Sequence, residues 1–344
     1  MAFEVLETLA TPFFYQDKED LLRRKRINKY LLEKIRDKEE KAKILTELGM
    51  IFYYSGELEK ALEYFEKALK LAEELGIKEV IAADRGNIGT TYLTRGELDK
   101  ALEYFRKALK LYEELGIKEG IATDLENIGI VYLTKGDLNK ALKYYENALK
   151  LDEELGIKEG IATVLVNVGI VYRIKGELEK ALEYFEKALK LAEELGIKEV
   201  IATDLENIGS IYLARGELDK ALEYYEKALK LGNKLGIKEG KAIVLGNIGN
   251  VYATKGELDK ALEYFEKALK IFKDMGSRIK TAQILMNIGS VFLMKGDKAC
   301  AVDYYLKAES LAVGSLFFEK VRKMIKLLRE EQNAKNTQHN TKGI

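Results

Sequence analysis

The sequence predicts an all-α fold, an α-solenoid of seven helix–turn–helix repeats with a capping helix at each end. Three observations predict it. The segment ALEYFRKAL at 101–109 returns as ALKYYENAL from Ala141 and ALEYFEKAL from Ala181, and in close variants from Ala61, Ala221, Ala261 and Ala301, always 40 residues apart. Within each unit the apolar residues fall at three- and four-residue steps, the mark of one buried helix face. Glycine stands where the steps stop. A fixed period of this length marks stacked units, none of which buries its apolar face alone.

Residues 1–37 form an N-terminal segment and capping helix in this reading. The first 16 do not fit the repeat. Phe3, Val5, Leu6, Leu9, Phe13, Phe14 and Tyr15 make an apolar stretch that either packs over the first helices or docks on another subunit. From Asp17 to Arg36 the pattern is that of a helix with Leu21, Leu22, Leu31, Leu32 and Ile35 facing the first repeat. The run Arg23-Arg24-Lys25-Arg26 is short and has no interleaved aromatics, so it reads as a solvated face of the cap and not as a nucleic-acid patch.

Residues 38–314 hold the seven repeats. In the third, Ile121, Ala122, Leu125, Ile128 and Tyr132 line one face of a helix from Glu119 to Thr134. Gly136 ends it, as a glycine at a helix C-terminus does. Asp137 opens the second helix, where negative charge suits the helix dipole. That helix carries Leu138, Ala141, Leu142, Tyr145, Ala148 and Leu149 and runs to Leu155 before Gly156. Glutamate–lysine pairs four apart, such as Glu183–Lys187 and Glu223–Lys227, belong on exposed faces. A glycine in mid-helix, Gly129 and its equivalents, costs about 0.8–1 kcal/mol against alanine. Such a repeated cost implies that a side chain there would block the paired helix.

Residues 315–331 read as a C-terminal capping helix with an apolar stripe of Leu316, Phe317, Val321, Met324, Ile325 and Leu328. Residues 332–344 are polar and aperiodic and are expected to be disordered.

Lys+Arg and Asp+Glu both number 57, giving zero formal net charge and no electrostatic reason to expect nucleic-acid binding or adsorption to an anionic membrane. No apolar run is long enough to span a bilayer. Cys300 is the only cysteine and His339 the only histidine, so disulfides, cysteine-based zinc sites and histidine catalysis are not expected. Cys300 is expected to be a small buried side chain. Paired carboxylates are numerous but are read as solvated helix faces. No phosphate-binding glycine motif occurs. The chain is therefore expected to be a cytoplasmic non-enzyme with no cofactor and no metal. Its abundant Lys, Glu and Ile fit either a thermophilic source or plain decoration of exposed helices.

Ile128-Gly129, Tyr132, Gly136, Ala141, Tyr145 and Ala148 match, in order, the offsets of the tetratricopeptide repeat, which this chain resembles from Lys38 to about Ala312. It departs from that pattern in several respects. Leucine replaces the opening aromatic at Leu125 and Leu205, Arg85 does so in the second repeat, and the helix-ending proline is absent. The 40-residue unit exceeds the usual 34 or so, as in the extended repeats of Pins-type adaptors and kinesin light chains. The resemblance implies a right-handed superhelix whose first helices line a concave groove for a protein or peptide ligand. It places one groove column at Asn87, Asn127, Asn167, Asn207, Asn247 and Asn287, with Ile130 and Ile170 in a neighbouring column and Arg173 and Leu213 farther along. These amides either meet the backbone of a peptide or bond to a neighbouring helix. The cations of a chaperone-tail clamp are missing. An oligomeric assembly scaffold and a sensor arm acting in trans are the alternative functions.

Overall fold

The computed structural model describes residues 18–313, 318, 319 and 321–326. Residues 318, 319 and 321–326 are helical, and among the rest lie fifteen α-helices of defined bounds. They are α1 (Lys18–Lys34), α2 (Lys38–Tyr54), α3 (Leu58–Leu75), α4 (Lys78–Thr94), α5 (Leu98–Leu115), α6 (Lys118–Thr134), α7 (Leu138–Leu155) and α8 (Lys158–Ile174). The chain continues with α9 (Leu178–Leu195), α10 (Lys198–Ala214), α11 (Leu218–Leu235), α12 (Lys238–Thr254), α13 (Leu258–Asp274), α14 (Arg278–Met294) and α15 (Lys298–Ala312). Two units emerge, Met1–Lys175 and Gly176–Ile344, and each is described by itself.

The third repeat shows how the sequence makes its turns. Gly136 has φ 79° and donates its N–H to the Leu133 carbonyl at 3.0 Å, while the Asp137 N–H reaches Tyr132 O at 2.9 Å. The Asp137 carboxylate then caps α7 by accepting from Lys140 N at 3.2 Å. At the far end Gly156, φ 69°, closes α7, and Ile157 N donates to Asp152 O at 2.9 Å. Left-handed backbone of this kind is open to glycine at no steric cost.

The two helices of a repeat are held by aromatic side chains. Tyr145 is fully buried where α7 meets α6, as are Phe65 and Phe105 in the preceding repeats and Tyr225, Phe265 and Tyr305 in the second unit. At the rim a second pair stacks, Tyr132 on Tyr144 with centroids 5.4 Å apart, and Lys140 sits over the Tyr132 ring at 5.1 Å. The expected surface pairs form, Glu183–Lys187 at 2.6 Å and Glu223–Lys227 at 2.7 Å. Exposed pairs like these contribute little to stability.

In the first unit α2 touches α4, α4 touches α6 and α6 touches α8; in the second, α10 touches α12 and α12 touches α14. No second helix meets another to a comparable extent among the described residues. The more closely spaced row is the inner side of a curved stack, so within each unit the first helices line the groove.

The caps depart from expectation in detail. On α1 the buried ridge is Leu21, Arg24 and Asn28, whereas Leu22 is exposed. Steps of three and four from Leu21 carry the contact face past Leu22, which lies about 100° round the helix. Half of the basic run is therefore engaged with the protein. Arg24 is bonded to Asp20 at 3.0 Å and to Glu47 at 3.4 Å, and Lys25 to Glu57 at 2.9 Å. At the other end Val321 and Ile325 are buried against Leu285, Tyr305 and Ala312, with Phe318 and Met324 packed beside them. The apolar stretch from Phe3 to Tyr15, together with Leu316, Phe317, Leu328 and residues 332–344, lies outside the described residues. Cys300 is half-exposed in the first turn of α15, where its N–H donates to Asp297 at 3.0 Å, and not buried as expected.

Candidate functional site

The groove is built from residues that alternate with the buried positions of the first helices. All six column asparagines, Asn87, Asn127, Asn167, Asn207, Asn247 and Asn287, are half-buried, as are Ile130, Ile170 and Leu213, while Arg173 is exposed. The first three asparagines, Ile130, Ile170 and Arg173 belong to the first unit. Asn207, Asn247, Asn287 and Leu213 belong to the second.

Some of the amides are tied to the repeat before them. Asn167 Nδ2 donates to Glu126 Oε1 at 3.0 Å, and Asn247 Nδ2 donates to Glu206 Oε1 at 3.2 Å. Glu126 and Glu206 share one repeat column, whose members in the second and sixth repeats are Gly86 and Gly246. Where the glutamate is missing, the bond is missing too. Asn287 turns instead to Asn250 Oδ1 at 3.2 Å. Asn127, which follows Gly86, makes no side-chain hydrogen bond among the described residues.

Beneath this column lies a set of carboxylates that reading the charges as solvated faces missed. Asp84, Asp124 and Asp204 are buried. Thr46 Oγ1 donates to Asp84 Oδ1 at 2.7 Å, but Asp84 Oδ2, Asp124 Oδ2 and both Asp204 oxygens have no partner among the described residues. Burial pushes the Asp124 carboxyl up to about 8 and Asp204 up to about 7. Asp84 is raised to about 7 by burial against the opposing bond from Thr46. Glu126 is raised to about 7 by burial and then by Asp152, with Asn167 opposing. Tyr112 is raised to about 12 by burial, with Asp124 and Asp84 adding. The signal was present in the repeat alignment, because the same column holds Val164, Val244 and Ile284, which are core residues.

In the second unit the first helices α12 and α14 enclose a cavity of about 360 Å³. Its polar wall is Asn247, Asn250, Lys280, Gln283 and Asn287, and Phe272 from the end of α13 contributes to its lining. Only Asn247 and Asn287 of these were singled out by sequence as site residues.

Among the described residues, no group of three or more His, Cys, Asp or Glu side chains could hold a metal ion, and no helix is long and apolar enough to cross a membrane. A family model described as tetratricopeptide repeat matches residues 40–114, 79–154, 119–194, 160–234, 199–274 and 240–312. The chain belongs to the tetratricopeptide repeat family.

Solved structures of several proteins share this tetratricopeptide fold. The apo form of the quorum sensor NprR from B. thuringiensis has a TM-score of 0.69 at 19% identity, covering 86% of this chain and 81% of that one. A signal transduction ATPase with a tetratricopeptide repeat sensor from Pyrococcus horikoshii has a TM-score of 0.67 at 20% identity, covering 94% of this chain and 53% of that one. A Rap conjugation gene regulator of the plasmid pLS20, in complex with the Phr* peptide, has a TM-score of 0.61 at 18% identity, covering 82% and 74%. No curated protein sequence matches the chain.

Proposed function

We propose that this tetratricopeptide repeat protein is a non-enzymatic scaffold that holds an extended peptide segment of a partner protein along its first helices. The observation that carries this reading is the amide of Asn127. It is half-buried beside Ile130 and makes no hydrogen bond among the described residues. A carboxamide offers two donors and an acceptor, which suits a peptide backbone whatever its sequence. Asn167 contributes in the same way with the hydrogen-bonding capacity that Glu126 leaves over. Ile130 and Ile170 supply apolar contact between the amides. A fold shared with a regulator whose structure is in complex with a peptide is in keeping with the reading, and the likeness extends to the fold alone.

The test is selection of N-acetylated, C-amidated random octapeptides on the full chain, followed by affinity measurement on Asn127→Ala and Ile130→Ala. Saturable binding that both changes weaken is the expected result. Absence of any bound peptide, or binding indifferent to both changes, removes the groove from consideration.

A further inference from the structure

We propose that the first unit carries a pH-operated latch. The carboxyl groups of Asp84, Asp124, Glu126 and Asp152 hold its helices together as neutral acids and loosen α4, α6 and α8 when they ionise. The inference concerns the spacing of the groove walls and does not depend on what the groove holds.

Three columns of the repeat supply these groups. Asp84 and Asp124 stand where the core elsewhere has Val164, Val244 and Ile284. Glu126 stands where Val166 and Met286 do, and Asp152 where Ala72, Ala192 and Phe272 do. Asp84, Asp124 and Asp152 are buried and Glu126 is half-buried. Asp84 Oδ2 and Asp124 Oδ2 meet no partner among the described residues. Glycines make room for two of the four. A Cβ at Gly86 would stand 3.6 Å from Asp124 Oδ1, and one at Gly160 would stand 2.5 Å from Asp152 Oδ2. Asp124 on α6 thus faces α4, and Asp152 on α7 faces α8. Both sit in the contacts that set the spacing of successive helices.

The groups around them bring no positive charge to the cluster. From α2, Thr46 donates to Asp84 Oδ1 at 2.7 Å. Arg85, next to Asp84 on α4, is paired with Glu73 of α3 at 3.2 Å. From α5 comes Tyr112, whose phenol is kept protonated by burial and then by Asp124, Asp84 and Glu79. From α7, Asp152 and Tyr145 lie in the field of Glu126. From α8, Asn167 donates to Glu126 Oε1 at 3.0 Å. Among the described residues no lysine or arginine is bonded to any of the four.

A carboxyl group shut off from water and from cations keeps its proton well above the usual carboxylate range. Burial raises all four in this way, with Asp152 adding at Glu126 and the bonds from Thr46 and Asn167 opposing. The closed unit therefore holds protons that an opened one releases to water. Closure is favoured at low pH and is lost as pH rises through neutrality, where separation of the helices solvates the new charges and relieves their repulsion. On α12 and α14 of the second unit the corresponding residues are Val244, Gly246, Ile284 and Met286, so these helices carry no such latch.

The experiment is hydrogen exchange resolved by helix on the full chain at pH 6 and pH 8.5, with each rate divided by the intrinsic rate at that pH. Protection of α4, α6 and α8 is expected to fall at least about tenfold, the change that even one carboxyl group titrating near 7 in the closed form produces. Protection of α12 and α14 is expected to stay the same. Giving the four positions the residues of other repeats, by Asp84→Val, Asp124→Val, Glu126→Val and Asp152→Ala, is expected to abolish the fall. Should that variant not fold, Asp84→Asn with Asp124→Asn keeps the shape, removes two of the charges and is expected to reduce the fall. No fall in the first unit, an equal fall on α12 and α14, or a fall undiminished in either folded variant would overturn the latch.

Discussion

The ring of Tyr145 lies against the backbone of Gly129, so closely that a Cβ on the glycine would stand 2.5 Å from Tyr145 Cε1. The same relation links Gly89 to Phe105, at 2.8 Å, and Gly249 to Phe265, at 2.7 Å. Gly129→Ala gains about 0.8–1 kcal/mol of helix propensity. It also drives a fully buried ring off its seat, and overpacking of that kind costs about 1–3 kcal/mol. The net change expected in thermal or denaturant unfolding is a loss. Gly232→Ala is the control. Nothing lies within 4 Å of its Cβ position, and alanine fills the same column at Ala72 and Ala192, so it is expected to stabilise by about 0.8–1 kcal/mol.

Asp124 gives a pH dependence opposite to that of a paired surface carboxylate. Its pKa is raised by burial from 3.8 to about 8. Between those values the folded chain keeps a proton that the unfolded chain has released. The fold is therefore favoured below the unfolded value and loses stability as pH rises through the window. Asp124→Val, which copies Val164 and Val244, removes this contribution. Its advantage over the wild type in urea unfolding is expected to grow from pH 4 to pH 8, reaching about 1–3 kcal/mol, the cost of a buried polar group left unpaired. An advantage that shrinks with pH would mean that Asp124 is ionised and satisfied in the fold.

Thr46 and Asp84 supply a partner for this kind of carboxylate that Gly86 withholds from Asp124. Gly86→Thr places a hydroxyl where Thr46 has one, and its Cβ meets Asp124 only at ordinary contact distance. The change is expected to raise stability by about 0.5–1.5 kcal/mol, the net worth of one hydrogen bond, and to flatten the pH dependence. Measuring unfolding at pH 5 and pH 8 on this variant checks both.

The asparagines separate into structural and available members. Asn167→Ala removes the bond to Glu126 and leaves a half-buried carboxylate without that donor, so a loss of about 1 kcal/mol is expected in unfolding experiments. If Asn167→Ala unfolds like the wild type, the amide does no structural work at that junction.

Periodicity made the helices, their turns and the buried faces legible in the sequence, because Gly136, Gly156 and the apolar steps each have a single local consequence. Family resemblance located the asparagine column. It did not tell Asn127 from Asn167, since that difference is set by what stands 41 residues earlier, Gly86 in one case and Glu126 in the other. The burial of Asp124 was missed for a related reason. Its neighbours along the helix are mixed, and only comparison with Val164 and Val244 marks the column as buried. On α1 the burial of Arg24 depended on Asp20 and Glu47, and composition alone does not reveal such partners. The cavity at Lys280 was missed because it arises from departures in one repeat, whereas attention to the consensus favours what all repeats share.

The claim that the first helices present unspent amides to a peptide is tested most directly at Asn127, where no bond to the protein complicates the result. Affinity for a selected octapeptide and the melting temperature are measured together on the wild type and on Asn127→Ala. The expected result is weaker binding by about 0.5–1.5 kcal/mol, two- to about twelvefold in Kd, with the melting temperature unchanged. Unchanged affinity accompanied by a lower melting temperature would contradict it, and would make the asparagine column part of the scaffold alone.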